Sequence, residues 1–278
     1  MARTRALLGG TAAIARRIAF INEKGGSCKT TLVSSVGDYL ARERGKRVLL
    51  IDLDPQGQLG KVLGVDVGAA RRTALNLLLD ALLGEETRPA LPIMRARHPN
   101  LDIIPSNKSL ALFPQEAAEH RGDENHCLRD ALERAPAYDF VLFDAPPSFG
   151  VITLNALLAA SEIVLPVPLT YLALDGAAEL VRTVEMVRTR FAHPALEISL
   201  VVPTFQRNTR MAAEILEKLR QHFPKQIAQT VLGYSVLIDE AQSRAKTIFE
   251  YAPRSAAARW MAAVGEELLA REPARLRP

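Results

Sequence analysis

The 278 residues carry 48% hydrophobic and 24% charged side chains, the balance of an ordinary globular chain, which excludes a largely disordered, collagen-like or coiled-coil protein. No stretch reaches the roughly 18 unbroken apolar residues of a membrane span, because the most apolar region, 155–174, is interrupted by Glu162, Pro166 and Pro168. A net charge of +4 permits a polyanionic partner only where basic groups cluster, and two cysteines, Cys28 and Cys127, are too few for a disulfide framework and lack the spacing of a zinc site, which points to the reducing cytoplasm.

Residues 1–16 combine Arg3 and Arg5 with an apolar run and have the outline of a short secretory signal. The buried strand and phosphate loop that follow at once make a basic N-terminal arm the better reading. Beyond it, short runs rich in Val, Ile, Leu and Phe predict strands over 18–22, 47–52, 101–104, 140–144, 163–168 and 198–203. Apolar residues at three- and four-residue intervals predict helices over 30–44, 74–83, 125–134, 152–160, 173–190, 209–222 and 256–271. Alternation of the two predicts an α/β fold, a mainly parallel twisted sheet covered on both faces. No repeat or linker divides the chain, so one domain is expected over 17–271, followed by a short tail, 272–278. The stretch 84–125, broken by five prolines, reads as a surface excursion around one strand.

The segment Asn22-Glu23-Lys24-Gly25-Gly26-Ser27-Cys28-Lys29-Thr30-Thr31 lies between the first strand and the first helix. Gly25 and Gly26 let the backbone approach an anion. Lys29 can reach β- and γ-phosphates, and Thr30 can present a hydroxyl to Mg²⁺ at the positive end of the helix. Only eight of the 35 basic residues are lysines, yet two of them, Lys24 and Lys29, stand five positions apart here, where a compact ammonium suits phosphate better than a planar guanidinium. The loop departs from G-x-x-x-x-G-K-[ST], with Glu23 and Cys28 in the glycine places.

What remains resembles the deviant Walker A motif K-G-G-x-G-K-[ST]-T of the ParA/MinD class, with Lys24 as the signature lysine. The resemblance implies a single-domain P-loop NTPase of the SIMIBI class in which two subunits sandwich two ATP molecules, each Lys24 reaching the partner's phosphates. Activity would then depend on dimerisation, the ammonium acting as an arginine finger does elsewhere. Cys28 reads either as a small side chain tolerated where glycine usually sits or as a thiol whose pKa is lowered by the helix terminus and the lysines.

The strand ending Asp52-Leu53-Asp54-Pro55-Gln56-Gly57 resembles the D-x-D-P-Q-G switch segment of ParA-like ATPases. The resemblance makes Asp54 the residue that orients the attacking water and places Asp52 nearer the Mg²⁺ shell. The strand ending Asp144-Ala145-Pro146-Pro147 resembles the family's Walker B segment, so Asp144 should hold Mg²⁺ through water. With Thr30, these give the expected metal set Thr30, Asp52 and Asp144, and the nucleotide set runs from Lys24 to Thr31. Matches continue to residue 269. Where the family has Ile-Pro-Arg near the base, this chain reads Val231-Leu232-Gly233-Tyr234-Ser235, so Gly233 and Tyr234 would shape the base pocket, Tyr234 by stacking.

Chromosomal ParA relatives bind DNA without sequence preference as ATP-bound dimers through basic C-terminal side chains. Arg207, Arg210, Arg244, Lys246, Arg254 and Arg259 are the corresponding candidates. The resemblance implies a cytoplasmic ATPase, nucleoid-associated when ATP-bound, that positions or segregates a cargo and is released when a ParB-like adaptor stimulates hydrolysis. The alternatives are a MinD-like, membrane-recruited ATPase, an amidoligase of the same superfamily, and a weakly hydrolysing nucleotide-binding scaffold. The proline-broken tail is too short for an inserting helix, so no stable membrane insertion is expected. An iron protein of the nitrogenase-reductase kind needs cluster-ligating cysteines, and Cys28 lies inside the phosphate loop.

Overall fold

The structure, a computed structural model, describes residues 15–84, 89–120 and 122–271; the expected arm up to residue 14 and the tail 272–278 lie outside them. In chain order the elements are β1 (Arg16–Phe20), α1 (Lys29–Arg44), β2 (Val48–Asp52), α2 (Gln58–Val62), α3 (Ala74–Leu83), β3 (Met94–Arg95) and β4 (Leu101–Ile104). There follow α4 (Phe113–Ala118), α5 (Cys127–Leu132), β5 (Phe140–Asp144), α6 (Val151–Ala159), β6 (Glu162–Pro168), α7 (Ala173–Arg190) and β7 (Glu197–Thr204). The chain continues through α8 (Arg210–His222), α9 (Val236–Ser243), α10 (Ile248–Tyr251) and α11 (Ala256–Leu269).

The strands form one seven-stranded sheet in the order β3-β4-β2-β5-β1-β6-β7, parallel throughout except for the short β3. Side-chain alternation splits the core into two layers. Ala19, Leu49, Ile51 and Phe143 pack on one face with Leu78, Leu128, Leu157 and Leu180 of α3, α5, α6 and α7. Ile18, Phe20, Leu50 and Leu142 pack on the other with Leu32, Val36 and Leu40 of α1 and Met261, Val264 and Leu268 of α11. Strands apolar on both faces are what a parallel sheet between helical layers requires.

Two expectations need correction. The arm loses its last residue to the sheet: Arg16 opens β1, pairs with Phe140, and donates to Glu162 through Nε at 3.0 Å and Nη2 at 2.6 Å. The stretch 84–125 is no mere surface excursion, because Leu110 and Phe113 are fully buried in the layer that holds α3, so the 3₁₀ turn Lys108–Leu112 and α4 seal that end of the core.

Candidate functional site

The carboxyl ends of β1, β5 and β2 lie level with one another. Phe20 pairs with Asp144, and Asp144 with Asp52. The loop leaving β1 therefore rises directly beside two acidic strand ends, where ligands of open α/β sheets bind. Asn22, which sequence reading did not single out, pins the loop: its Nδ2 donates to the Pro166 carbonyl at 2.6 Å, and its Oδ1 accepts from the Lys24 amide at 2.9 Å. Gly25 and Gly26 are exposed at the crest. Lys29 is buried, and its Nζ donates to the carbonyls of Asn22 (2.9 Å) and Lys24 (3.2 Å) and to Ser27 Oγ (3.4 Å). Burial lowers its pKa, while Asp144 and Asp54 pull it back up.

Thr30, in the first turn of α1, donates through Oγ1 to Asp144 Oδ2 at 2.7 Å. Asp144 Oδ1 is buried with no hydrogen-bond partner. A buried carboxylate oxygen without a donor, beside a threonine hydroxyl at a helix N-terminus, fits a divalent cation held also by phosphates. Burial raises the Asp144 carboxyl to about 7, opposed by the Thr30 hydrogen bond and Lys29. Burial and the neighbouring Asp144 also push Asp52 up. Both carboxyls are thus poised for a positive charge. Among the described residues no cluster of three acidic, His or Cys side chains could hold a metal ion alone, so water or phosphate oxygens would complete any such shell.

Asp52 also organises the segment after it. Its Oδ1 accepts from the Asp54 amide and its Oδ2 from the Leu59 amide, each at 3.1 Å. Asp54 is half-buried and caps its own turn, Oδ1 accepting from the Gln56 amide at 2.9 Å. Lys24 bends back onto its own chain, donating to the Leu172 carbonyl just before α7. Large apolar side chains stand exposed along the same rim: Phe149 (44%), Tyr171 (79%) and Leu172 (54%) follow the carboxyl ends of β5 and β6.

Cys28 is the N-cap of α1 with φ 79° and ψ 17°, the left-handed region that explains a glycine at this place in the common motif. The lowered-pKa reading fails: burial pushes the thiol up to about 11 against an opposing hydrogen bond from Thr31, and Asp239 of α9 adds a smaller rise. Cys28 is the small side chain tolerated in a strained position. Cys28→Gly is expected to stabilise the chain by about 1 kcal/mol, a strain of roughly 1–3 kcal/mol less the roughly 0.5–1 kcal/mol that glycine costs in backbone entropy. A thermal melt should rise by about 2–4 °C, and a fall would contradict the strain.

Beside Cys28 lies a cavity of about 70 Å³ lined also by Thr204, Gly233, Tyr234 and Asp239. Gly233 sits under the Trp260 ring, where an added Cβ would come within 2.6 Å, so a larger residue would have to displace the ring. Tyr234 is largely exposed and donates to Asp239 Oδ2 at 2.9 Å. All six basic candidates are exposed. Arg244 stacks over the Tyr251 ring at 5.7 Å, and Arg259 Nη1 donates to the Arg254 carbonyl at 2.8 Å, so these two, with Lys246 and Arg254, share the α9–α10–α11 surface. Arg207 follows Gln206, which bridges to Gly233. Arg210 is paired with Glu214 at 2.9 Å and stands apart on α8.

Residues 15–198 match the AAA_31 family, an AAA domain. The chromosome-partitioning ATPase Soj of Thermus thermophilus is 39% identical over 264 residues, covering 92% of this chain and 96% of that protein. Cell division protein PomZ of Myxococcus xanthus is 36% identical over 262 residues, covering 92% of this chain and 78% of its own. Among solved structures, cobyrinic acid a,c-diamide synthase from Mycobacterium smegmatis with bound ATP analog and magnesium has a TM-score of 0.76 at 28% identity, covering 92% of this chain and 95% of that one.

Proposed function

Since the chain belongs to the ParA/Soj family of P-loop ATPases, we propose that it is an ATP-switched positioning ATPase whose Mg²⁺-ATP-bound homodimer binds DNA without sequence preference. An adaptor protein of the ParB kind stimulates hydrolysis and frees the dimer, so that a cargo is segregated or positioned. The observation that carries this reading is the rim itself: the exposed glycine loop, Lys24 and the apolar Phe149, Tyr171 and Leu172 share the edge where a second subunit would close over the nucleotide.

In this reading the loop amides between Gly25 and Thr31 cradle the phosphates, and Lys29 leaves its carbonyl partners for the β- and γ-phosphates. Thr30 and Asp144 would hold Mg²⁺, with Asp52 behind them fixing the segment that carries Asp54. The cation, when bound, offsets charge on the phosphate oxygens. Asp54 orients the attacking water, and the partner's copy of Lys24 supplies the cation in trans. Cys28, Gly233 and Tyr234 border the base.

Relatives that are chromosome-partitioning and cell-division proteins support the positioning role. An amide-forming role like that of the Mycobacterium smegmatis synthase has weaker support, with 28% identity there against 39% to Soj. For membrane recruitment α11 is unsuitable, because Met261, Val264 and Leu268 are buried against the sheet, and among the described residues no helix is long and apolar enough to cross a membrane. The protein acts in the cytoplasm, with its ATP form on the nucleoid.

The test is binding to mixed-sequence duplex DNA with and without a non-hydrolysable ATP analogue. The ATP state should bind, and affinity should fall by about a thousandfold between about 50 and 200 mM salt if some six phosphates are contacted. Indifference to sequence should persist across that range. Equal binding in the apo and ATP states would contradict the switch.

A further inference from the structure

The basic segment 244–254 and Gln242 just before it are fastened at two places to α1, the helix that leaves the phosphate loop. Gln242 Nε2 donates to Thr31 Oγ1 at 2.9 Å across 211 positions of sequence. Thr247 Oγ1 donates to Asp38 Oδ2 at 2.5 Å, and Asp38 is 1% exposed. Arg42 shares Asp38 through Oδ1 at 3.2 Å and also approaches Glu250 at 3.7 Å. Moving the segment would strip this buried carboxylate of the Thr247 hydroxyl and leave Arg42 as its charge partner, at a cost in free energy that ties the segment to α1.

A third attachment comes from the side of Asp54. Asp52 holds the N-terminal end of α2 through Leu59, and the chain leaves α2 at Gly64, where an added Cβ would lie 3.0 Å from the Ala245 carbonyl. Arg97 donates to that same carbonyl and pairs with Glu250 at 3.3 Å. Segment 244–254 is therefore wedged between the helix that starts in the phosphate loop and the helix that follows Asp54. It carries Arg244, Lys246 and Arg254, all exposed.

Thr31 sits in the first turn of α1, where helix N–H groups meet anions. Its hydroxyl accepts from Gln242 and also hydrogen-bonds the Cys28 thiol in the phosphate loop, and hydrogen bonds in such a chain strengthen one another. We propose that Gln242 and Thr247 are positioning residues that couple occupancy of the phosphate loop to the exposed basic segment 244–254. The ordering of that segment by nucleotide is what makes DNA binding ATP-dependent, a consequence that rests on the function proposed above.

Hydrogen–deuterium exchange on the full chain reads the coupling without DNA. Adding a non-hydrolysable ATP analogue with Mg²⁺ should slow amide exchange across 241–254 by roughly tenfold in the unmodified protein. In Gln242→Leu and in Thr247→Val that response should be lost while protection of the phosphate loop persists, and Thr247→Ser, which keeps the hydroxyl, should retain it. A purely structural role would leave the nucleotide-induced response intact in every variant that folds. No response in the unmodified protein, or an unchanged response in Gln242→Leu, overturns the coupling. DNA titration separates the two levels: if the segment responds but DNA binds in neither state, the proposed function fails and the coupling stands. If the unmodified protein binds DNA only with ATP and Gln242→Leu keeps the same ratio, the coupling fails and the function stands.

Discussion

Lys24→Ala is expected to reduce DNA- and adaptor-stimulated ATP turnover by about a thousandfold, the scale of a cation supplied in trans to phosphoryl transfer. Binding of ATP to a single subunit should change little, because Lys29, Thr30 and Asp144 form the cradle without it. The substitution should also leave the fold intact. Lys24 is only half-buried, and its ammonium contacts one carbonyl of its own chain, that of Leu172. That contact gives the substitution a second signature: the ammonium must leave Leu172 to cross to a partner, so its loss should abolish ATP-induced dimers. Titration calorimetry and stimulated turnover check both, and near-normal stimulated turnover in Lys24→Ala would remove the trans cation from the mechanism.

Asp54→Ala should lower hydrolysis by about 10²–10⁴-fold, the range for a group that handles the proton or orientation of an attacking water. ATP should still bind, and the dimer should accumulate because it can no longer discharge. The architecture separates the two strand-end carboxylates cleanly. Asp52 has both oxygens engaged by the Asp54 and Leu59 amides and keeps the segment in place, whereas Asp54 holds only its own turn through Gln56. Single-turnover hydrolysis alongside nucleotide binding distinguishes the roles: undiminished hydrolysis would remove Asp54 from the reaction, and lost ATP binding would make it a structural residue.

The phosphate loop and both acidic strand ends were legible because each is a contiguous segment whose spacing carries its chemistry. The sheet was legible too, since runs such as 48–52 and 140–144 are buried on both faces and therefore apolar without alternation. What escaped were features decided by distant partners. The short helices α2, α9 and α10 have too few turns to show a period, and α4 hides among prolines, although Phe113 is fully buried. The Cys28 thiol was open to a lowered pKa on the argument of a helix terminus and two lysines. Those ammoniums instead point at the carbonyls of Asn22, Lys24 and Leu172, and burial decides the direction. The glycine that the common motif places at that position was the available sign of a left-handed backbone. Nothing local could announce the bonds from Gln242 to Thr31 or from Thr247 to Asp38, which join residues more than two hundred positions apart.

The proposed cycle requires two copies of the chain to close over their triphosphates. Sedimentation velocity of the full chain, saturated with a non-hydrolysable ATP analogue and Mg²⁺, measures this directly. The expected species has twice the 30.4 kDa mass of one chain, and it should revert to a single chain with ADP. A species that remains at 30.4 kDa under full nucleotide saturation would contradict the account.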